Sequence, residues 1–166
     1  MSITILEAPP NSNEAVQLIT ELDQHLHTYP YPPESRHAFS VDKLLREDVA
    51  FFIARRHGEL AGCCGLKLFD SEYGEIKRMY VRPAHRGAGL GKAMLKWLTE
   101  FALSRQVNVL RLETGIYQTD AIGLYVSFGF QRRPPFGEYK VDPLSVYYEK
   151  RIPGREDSKR FTSQHV

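Results

Sequence analysis

Apolar residues recur with two different periods along this chain, and the switches between them mark its elements. Residues 2 to 8 alternate weakly through Ile3 and Ile5 and read as a short strand, closed by Pro9-Pro10. From Asn11 to Thr28, Ala15, Leu18, Ile19, Leu22 and Leu26 fall at the intervals of one helical face. The segment Tyr29-Pro30-Tyr31-Pro32-Pro33 cannot extend that helix, because each proline lacks an N–H and disfavours helix in the residue before it. A short second helix is expected over Ser40 to Glu47, with Ser40 as its cap. Val49 to Arg56 and Glu59 to Phe69 read as strands joined through a hairpin turn at His57-Gly58. Tyr73-Gly74 reads as the next turn, before a strand from Glu75 to Arg82.

Leu90 to Ser104 returns to the helical period, with Met94, Leu95, Trp97, Leu98 and Phe101 on its apolar side. Val107 to Thr114 follows as a strand, Gly115 to Gln118 as a loop, and Asp120 to Phe128 as a helix stopped by Gly129. A strand restarts at Phe130, is interrupted by Arg133-Pro134-Pro135-Phe136-Gly137, and a last one covers Ser145 to Ile152. The predicted order is β-α-α-β-β-β-α-β-α-β-β, with no internal repeat and no linker. Residues 1–152 are therefore expected as one domain, and the polar, patternless residues 153–166 as a disordered tail.

The junction Val81-Arg82-Pro83-Ala84-His85-Arg86-Gly87-Ala88-Gly89-Leu90-Gly91-Lys92 carries the most chemistry. A strand ends there, Gly87, Gly89 and Gly91 follow within five residues, and a helix begins at once. Such a turn exposes backbone N–H groups at the positive end of a helix, which is a seat for phosphate. A triphosphate loop, G-x-x-x-x-G-K-[ST], would need glycine where Arg86 stands and a hydroxyl where Ala93 stands. A dinucleotide loop, G-x-G-x-x-G, would need glycine where Lys92 stands. What remains is Arg86-x-x-Gly89-x-Gly91. It resembles the R-x-x-G-x-G/A acyl-CoA pyrophosphate loop of the GNAT superfamily, the GCN5-related N-acetyltransferases. Ala121-Ile122-Gly123-Leu124-Tyr125-Val126-Ser127-Phe128-Gly129-Phe130 is similar to that family's A-x-x-L-Y-x-x-x-G-F segment.

The resemblance spans roughly Ile3 to Ile152, its specific motifs Glu75 to Phe130. It implies a mixed α/β fold: a mostly antiparallel sheet of about seven strands, splayed in the middle and flanked by about four helices. It implies acetyl-CoA as donor and an amine of a small molecule or peptide as acceptor, joined by direct attack in a ternary complex. The pantetheine arm would pair with Met79, Tyr80 and Val81, and the pyrophosphate would meet Arg86, Gly87, Ala88, Gly89, Leu90, Gly91 and Lys92. Tyr125 would protonate the leaving thiolate; a tyrosine, with a usual pKa of ~10, is protonated at neutral pH and suits an acid. Glu75 has the spacing of the strand glutamate that serves as base in the histone-acetylating branch. Glu113 is the reserve base, or the group that holds the acceptor amine. Gln118 stands roughly where the family often has Asn toward the cofactor arm. Tyr29, Tyr31, Phe136 and Tyr139 would wall the acceptor pocket. Dimers are common in the family, so a homodimer is a further implication.

Composition narrows the classes without choosing among them. The chain of 166 residues is long enough for one substantial core. Lys plus Arg outnumber Asp plus Glu by only 22 to 20, which favours neither nucleic acid nor an anionic membrane. The two cysteines, Cys63 and Cys64, are adjacent in an apolar run; in a strand they would point to opposite faces and stay unpaired. With no basic-then-apolar leader and no long apolar run, a soluble cytoplasmic protein is expected. No Cys, His and carboxylate cluster has metal-site spacing; His25 and His27 lie two apart on a helix, and His85 is expected as an exposed loop residue. The rival class is an acyl-CoA-binding sensor that keeps the glycine turn without transfer. Thiol release from acetyl-CoA in the presence of amines separates the two.

Overall fold

A computed structural model describes residues 2–37 and 39–153; the expected tail thus lies almost wholly outside the described residues. Its elements run β1 (Ile3–Glu7), α1 (Asn13–His27), α2 (Val41–Arg46), β2 (Ala50–Arg56), β3 (Glu59–Phe69), β4 (Tyr73–Val81), α3 (Leu90–Ser104), β5 (Val109–Gly115), α4 (Thr119–Ser127), β6 (Gln131–Arg133) and β7 (Ser145–Arg151). The strands form one sheet in the order β1-β2-β3-β4-β5-β7-β6. All neighbours pair antiparallel except β4 and β5, which are parallel. This is the mixed α/β architecture expected, with the expected element order.

Local chemistry explains most boundaries. The Ser12 and Ser40 hydroxyls accept from the N–H groups of Ala15 (3.3 Å) and Lys43 (3.1 Å), capping α1 and α2. His57 (φ 53°) and Gly58 (φ 78°) make the hairpin between β2 and β3, both left-handed as a tight two-residue turn requires. One expected turn is wrong. Tyr73-Gly74 already belongs to β4, because the chain reverses at Asp70 (φ 51°) and Tyr73 then pairs with Phe69, their rings stacked 4.6 Å apart.

Helices cover both faces of the sheet. Phe51, Ile53, Cys63 and Tyr80 pack with Ala15, Leu18, Ile19 and Leu44 of α1 and α2. Phe52, Ala54, Cys64, Leu66 and Ile76 pack with Leu90, Met94, Leu95 and Leu98 of α3. Neighbouring residues of one strand thus serve opposite cores, as the pleat dictates. Cys63 and Cys64 are accordingly free and buried, and burial pushes the Cys63 thiol up to about 12. A third, aromatic cluster of Tyr73, Val109, Phe136 and Tyr147 closes the end of the sheet.

The centre of the sheet comes apart. Among the described residues, β4 and β5 pair only through Gly74 with Leu110 and Glu75 with Arg111. Farther along, Cys63 faces Tyr80 and Gly65 faces Lys77, so Arg78 and Met79 together oppose Cys64 alone. This is a β-bulge, and Arg78 adopts φ 55° to form it. Bulges bend a strand and raise its twist. Three contacts fasten the bent half of β4 to α1: Arg78 to Asp23 (2.7 Å), Arg82 to Glu21 (2.8 Å) and Tyr80 to Glu21 (3.2 Å). From Ile76 onward, the edge of β4 that would face β5 is left to something other than a strand.

Candidate functional site

The gap between β4 and β5 opens into a cavity of about 840 Å³, walled also by the end of α1, the 29–37 loop, the glycine turn and α4. Met79, Tyr80 and Val81 line it from β4, and Arg86, Gly87, Gly89, Leu90, Gly91 and Lys92 line it at the turn. Ala88 is half-buried and is not part of the wall. Gly87 (φ 78°) and Gly89 (φ 83°) are left-handed, and no atom lies within 4 Å of where their Cβ would be. These two glycines are therefore there for backbone conformation and an open approach. Gly91 differs: a Cβ there would sit 2.7 Å from Leu124 Cδ2, so its role is the close packing of α3 on α4. Gly89 stands at the N-cap of α3, whose first N–H groups have no partner within the helix and whose dipole is positive there. Arg86 is exposed and folds back so that its Nε donates to the Val81 carbonyl (3.1 Å). His85, expected to be exposed, is buried in a 3-10 turn against the cavity. Its Nδ1 has no partner among the described residues, and Nε2 lies 3.5 Å from a Glu59 oxygen.

Tyr125 enters the cavity from α4. It is 5% exposed, its ring packs edge-on against Phe130, and burial holds its hydroxyl well above the usual tyrosine range, hence protonated. Glu113, on β5, lines the same space. Burial raises its carboxyl to about 7, against the opposing effects of a Ser145 hydroxyl at 3.3 Å and the charge of Lys77. Gln118 precedes α4, and its Oε1 accepts from the Tyr31 hydroxyl (2.8 Å), which itself accepts from the Tyr117 N–H (2.8 Å). Gln118 lines the cavity, and its buried Nε2 is left without a partner among the described residues.

Glu75 lies in a compact polar cluster. It is 3% exposed; one oxygen, Oε2, receives both the Lys77 ammonium at 2.7 Å and the Tyr139 hydroxyl at 2.6 Å. Lys77 Nζ also donates to the Tyr139 oxygen (3.0 Å) and sits 4.5 Å from the centre of the Phe39 ring. Lys77 is absent from the sequence expectations, yet it stands two residues from Glu75 in a strand and so on the same face, a signal period two could have given. Tyr139, Tyr29 and Tyr31 line the cavity. Phe136 does not. It is buried behind the wall, edge-on to Tyr73 (5.6 Å) and Tyr139 (5.2 Å), and props Tyr139 from beneath.

A second opening, on the far side of Glu75, Lys77 and Tyr139, is lined by Lys43, Lys67, Phe69 and residues 137–144. The two cavities share Arg36, His37 and Phe39, none of which any sequence period marks. Among the described residues no group of His, Cys, Asp and Glu could hold a metal, and no helix is long and apolar enough to cross a membrane.

A parted parallel strand pair, a glycine turn at the start of α3 and a buried, protonated tyrosine together make up the site. The sequence profile of the Acetyltransferase (GNAT) family matches residues 16–130, and the chain belongs to that family. It is 42% identical over 151 residues to an IAA acetyltransferase of Azospirillum brasilense, covering 90% of this chain and 97% of that one. It is 40% identical to the uncharacterized N-acetyltransferase YsnE of Bacillus subtilis, over 82% of this chain and 93% of that one. A solved Klebsiella pneumoniae protein described as an acyl-CoA N-acyltransferase is 37% identical, with a TM-score of 0.76 over 90% of this chain and 97% of that one. The protein is thus an acetyl-CoA-dependent N-acetyltransferase acting on an amine-bearing acceptor.

Proposed function

We propose that acetyl transfer takes place in the β4–β5 gap, with Glu113 taking the proton of the acceptor amine and Tyr125 supplying one to the departing thiol. The observation that carries this reading is that both side chains line one cavity with the glycine turn. Acetyl-CoA supplies an activated thioester; the chain supplies position and protons. The N–H groups around Gly89 are suited to the cofactor's phosphates, and the unpaired edge of β4 near Met79 to the carbonyl groups of its arm. A preorganised backbone donor to a carbonyl that gains charge in the transition state is typically worth ~3 kcal/mol.

Either carboxylate could accept the proton by position, and the geometry favours Glu113. The Oε2 atom of Glu75 already receives two donors, whereas Glu113 accepts one long hydrogen bond and titrates near neutrality. A base is most effective with a pKa close to the working pH. Glu75, with Lys77, is then the support of Tyr139 on the acceptor side. The test is acetyl-CoA-dependent thiol release over a panel of amines, with the acetylated product weighed by mass spectrometry. Release with at least one amine, lost on replacing Glu113 and retained in good part on replacing Glu75, supports the assignment. The converse pattern returns the base to Glu75, and binding of acetyl-CoA without release for any amine would favour the sensor reading.

A further inference from the structure

Building on the assignment of Glu113 as the base, we propose that the acceptor is a small amine that also carries a carboxylate, and that Arg36 binds that carboxylate. Arg36 lies where the two cavities meet and lines both. Its guanidinium is fixed by three main-chain carbonyls: Nε donates to Tyr31 (3.0 Å), Nη1 to Leu26 (3.2 Å) and Nη2 to Tyr29 (3.0 Å). These acceptors are neutral. A guanidinium has five N–H donors, so two remain, together with the whole positive charge.

Four of the seven other Lys and Arg residues that line the two cavities are already ion-paired, and Arg86, Lys92 and Lys140 are not. Lys77 is paired with Glu75, Lys43 and Lys67 share Glu47, and Arg78 holds Asp23. Among the described residues Arg36 makes no ion pair, and of the unpaired cations it is the one that lines both cavities. A half-buried guanidinium that is rigid and lacks a counter-ion is organised in advance for a carboxylate, since little side-chain entropy is lost when one arrives. Tyr31 links this cation to the base. Its carbonyl oxygen takes Arg36 Nε, and a Cβ on Gly115, two residues beyond Glu113 on β5, would meet its hydroxyl. Arg36 and the Glu113 strand therefore flank one tyrosine at the cavity wall. In a peptide the residue that bears the free amine has its α-carboxyl tied up in an amide, so it offers Arg36 no α-carboxylate.

The experiment compares matched acceptors on the full chain with acetyl-CoA: phenylalanine against phenethylamine and phenylalaninamide, 4-aminobutyrate against butylamine, and a peptide with a free N-terminus and no nearby acid. A charge-assisted hydrogen bond predicts that kcat/KM for the better carboxylate-bearing member exceeds that of its carboxylate-free partner by about 10- to 150-fold. In Arg36→Met that ratio falls toward one, whatever happens to the overall rate. A residue that merely clips the loop would lower both partners alike and leave the ratio intact, which overturns the proposal. If Arg36→Met does not fold, the parent decides: no preference for the carboxylate, or preference for the peptide, overturns it. Turnover confined to carboxylate-free amines rejects this inference and leaves the Glu113 mechanism standing; no turnover of any amine rejects both.

Discussion

Glu113→Gln tests the mechanism through stability and activity together. The substitution keeps size and the chance of a bond to Ser145 while removing the charge. In the folded protein this carboxyl titrates near about 7; its usual value is 4.5. Between those two values the folded state holds a proton that the unfolded chain has released, so unfolding becomes easier as pH rises through this window and its penalty is complete above about 7. The corresponding free energy is about 3 kcal/mol at pH 8. Glutamine carries no such penalty. Urea unfolding of parent and variant from pH 5 to 8.5 should therefore show the variant gaining stability relative to the parent as pH rises, with little gain at the acid end. Activity should move the other way. The parent's kcat/KM should rise with pH along a limb centred near 7, and the variant should lose that limb with about 100-fold or more of its rate. A variant whose stability tracks the parent's at every pH would mean that Glu113 is not a strained carboxylate. A variant that keeps the limb would move the base elsewhere.

Other outcomes follow from single contacts. Tyr125→Phe should lower kcat about 100-fold while acetyl-CoA affinity, measured by calorimetry, changes little; parent-level turnover would remove Tyr125 from the chemistry. Lys77→Met strands the Glu75 carboxylate at 3% exposure and should cost about 3 kcal/mol in urea unfolding, part of which the double variant with Glu75→Gln should restore. Gly89→Ala forces a side chain into φ 83° and should cost about 1–2 kcal/mol and weaken acetyl-CoA binding. Gly123→Ala, in the exposed face of α4 with nothing within 4 Å of the new Cβ, should instead stabilise by about 1 kcal/mol and leave that binding unchanged. A thermal or urea scan in which the two glycine variants behave alike would contradict this distinction.

Elements whose cause is local were legible in the chain itself. The periods of α1 and α3, the Ser40 cap of α2, the His57-Gly58 hairpin and the opposed faces of Cys63 and Cys64 depend only on neighbours a few residues away. The glycine turn was legible for the same reason: Gly87 and Gly89 answer a backbone requirement that their own positions declare. What the sequence left open depends on residues brought together from afar. No pattern announces a bulge at Arg78, since arginine has no preference for φ 55°, yet that bulge accompanies the parting of β4 from β5. Gly91 looks like its two neighbours and does a different task, because Leu124 arrives from another helix. His85 reads as an exposed loop residue and is buried by the turn that carries it; Phe136 reads as a pocket wall and packs behind one. The two carboxylates are alike in sequence. Only packing separates them, giving Glu75 an ammonium and a hydroxyl and leaving Glu113 half-buried on the cavity wall with one weak partner, because desolvation and charge pairing are properties of surroundings and not of residue type.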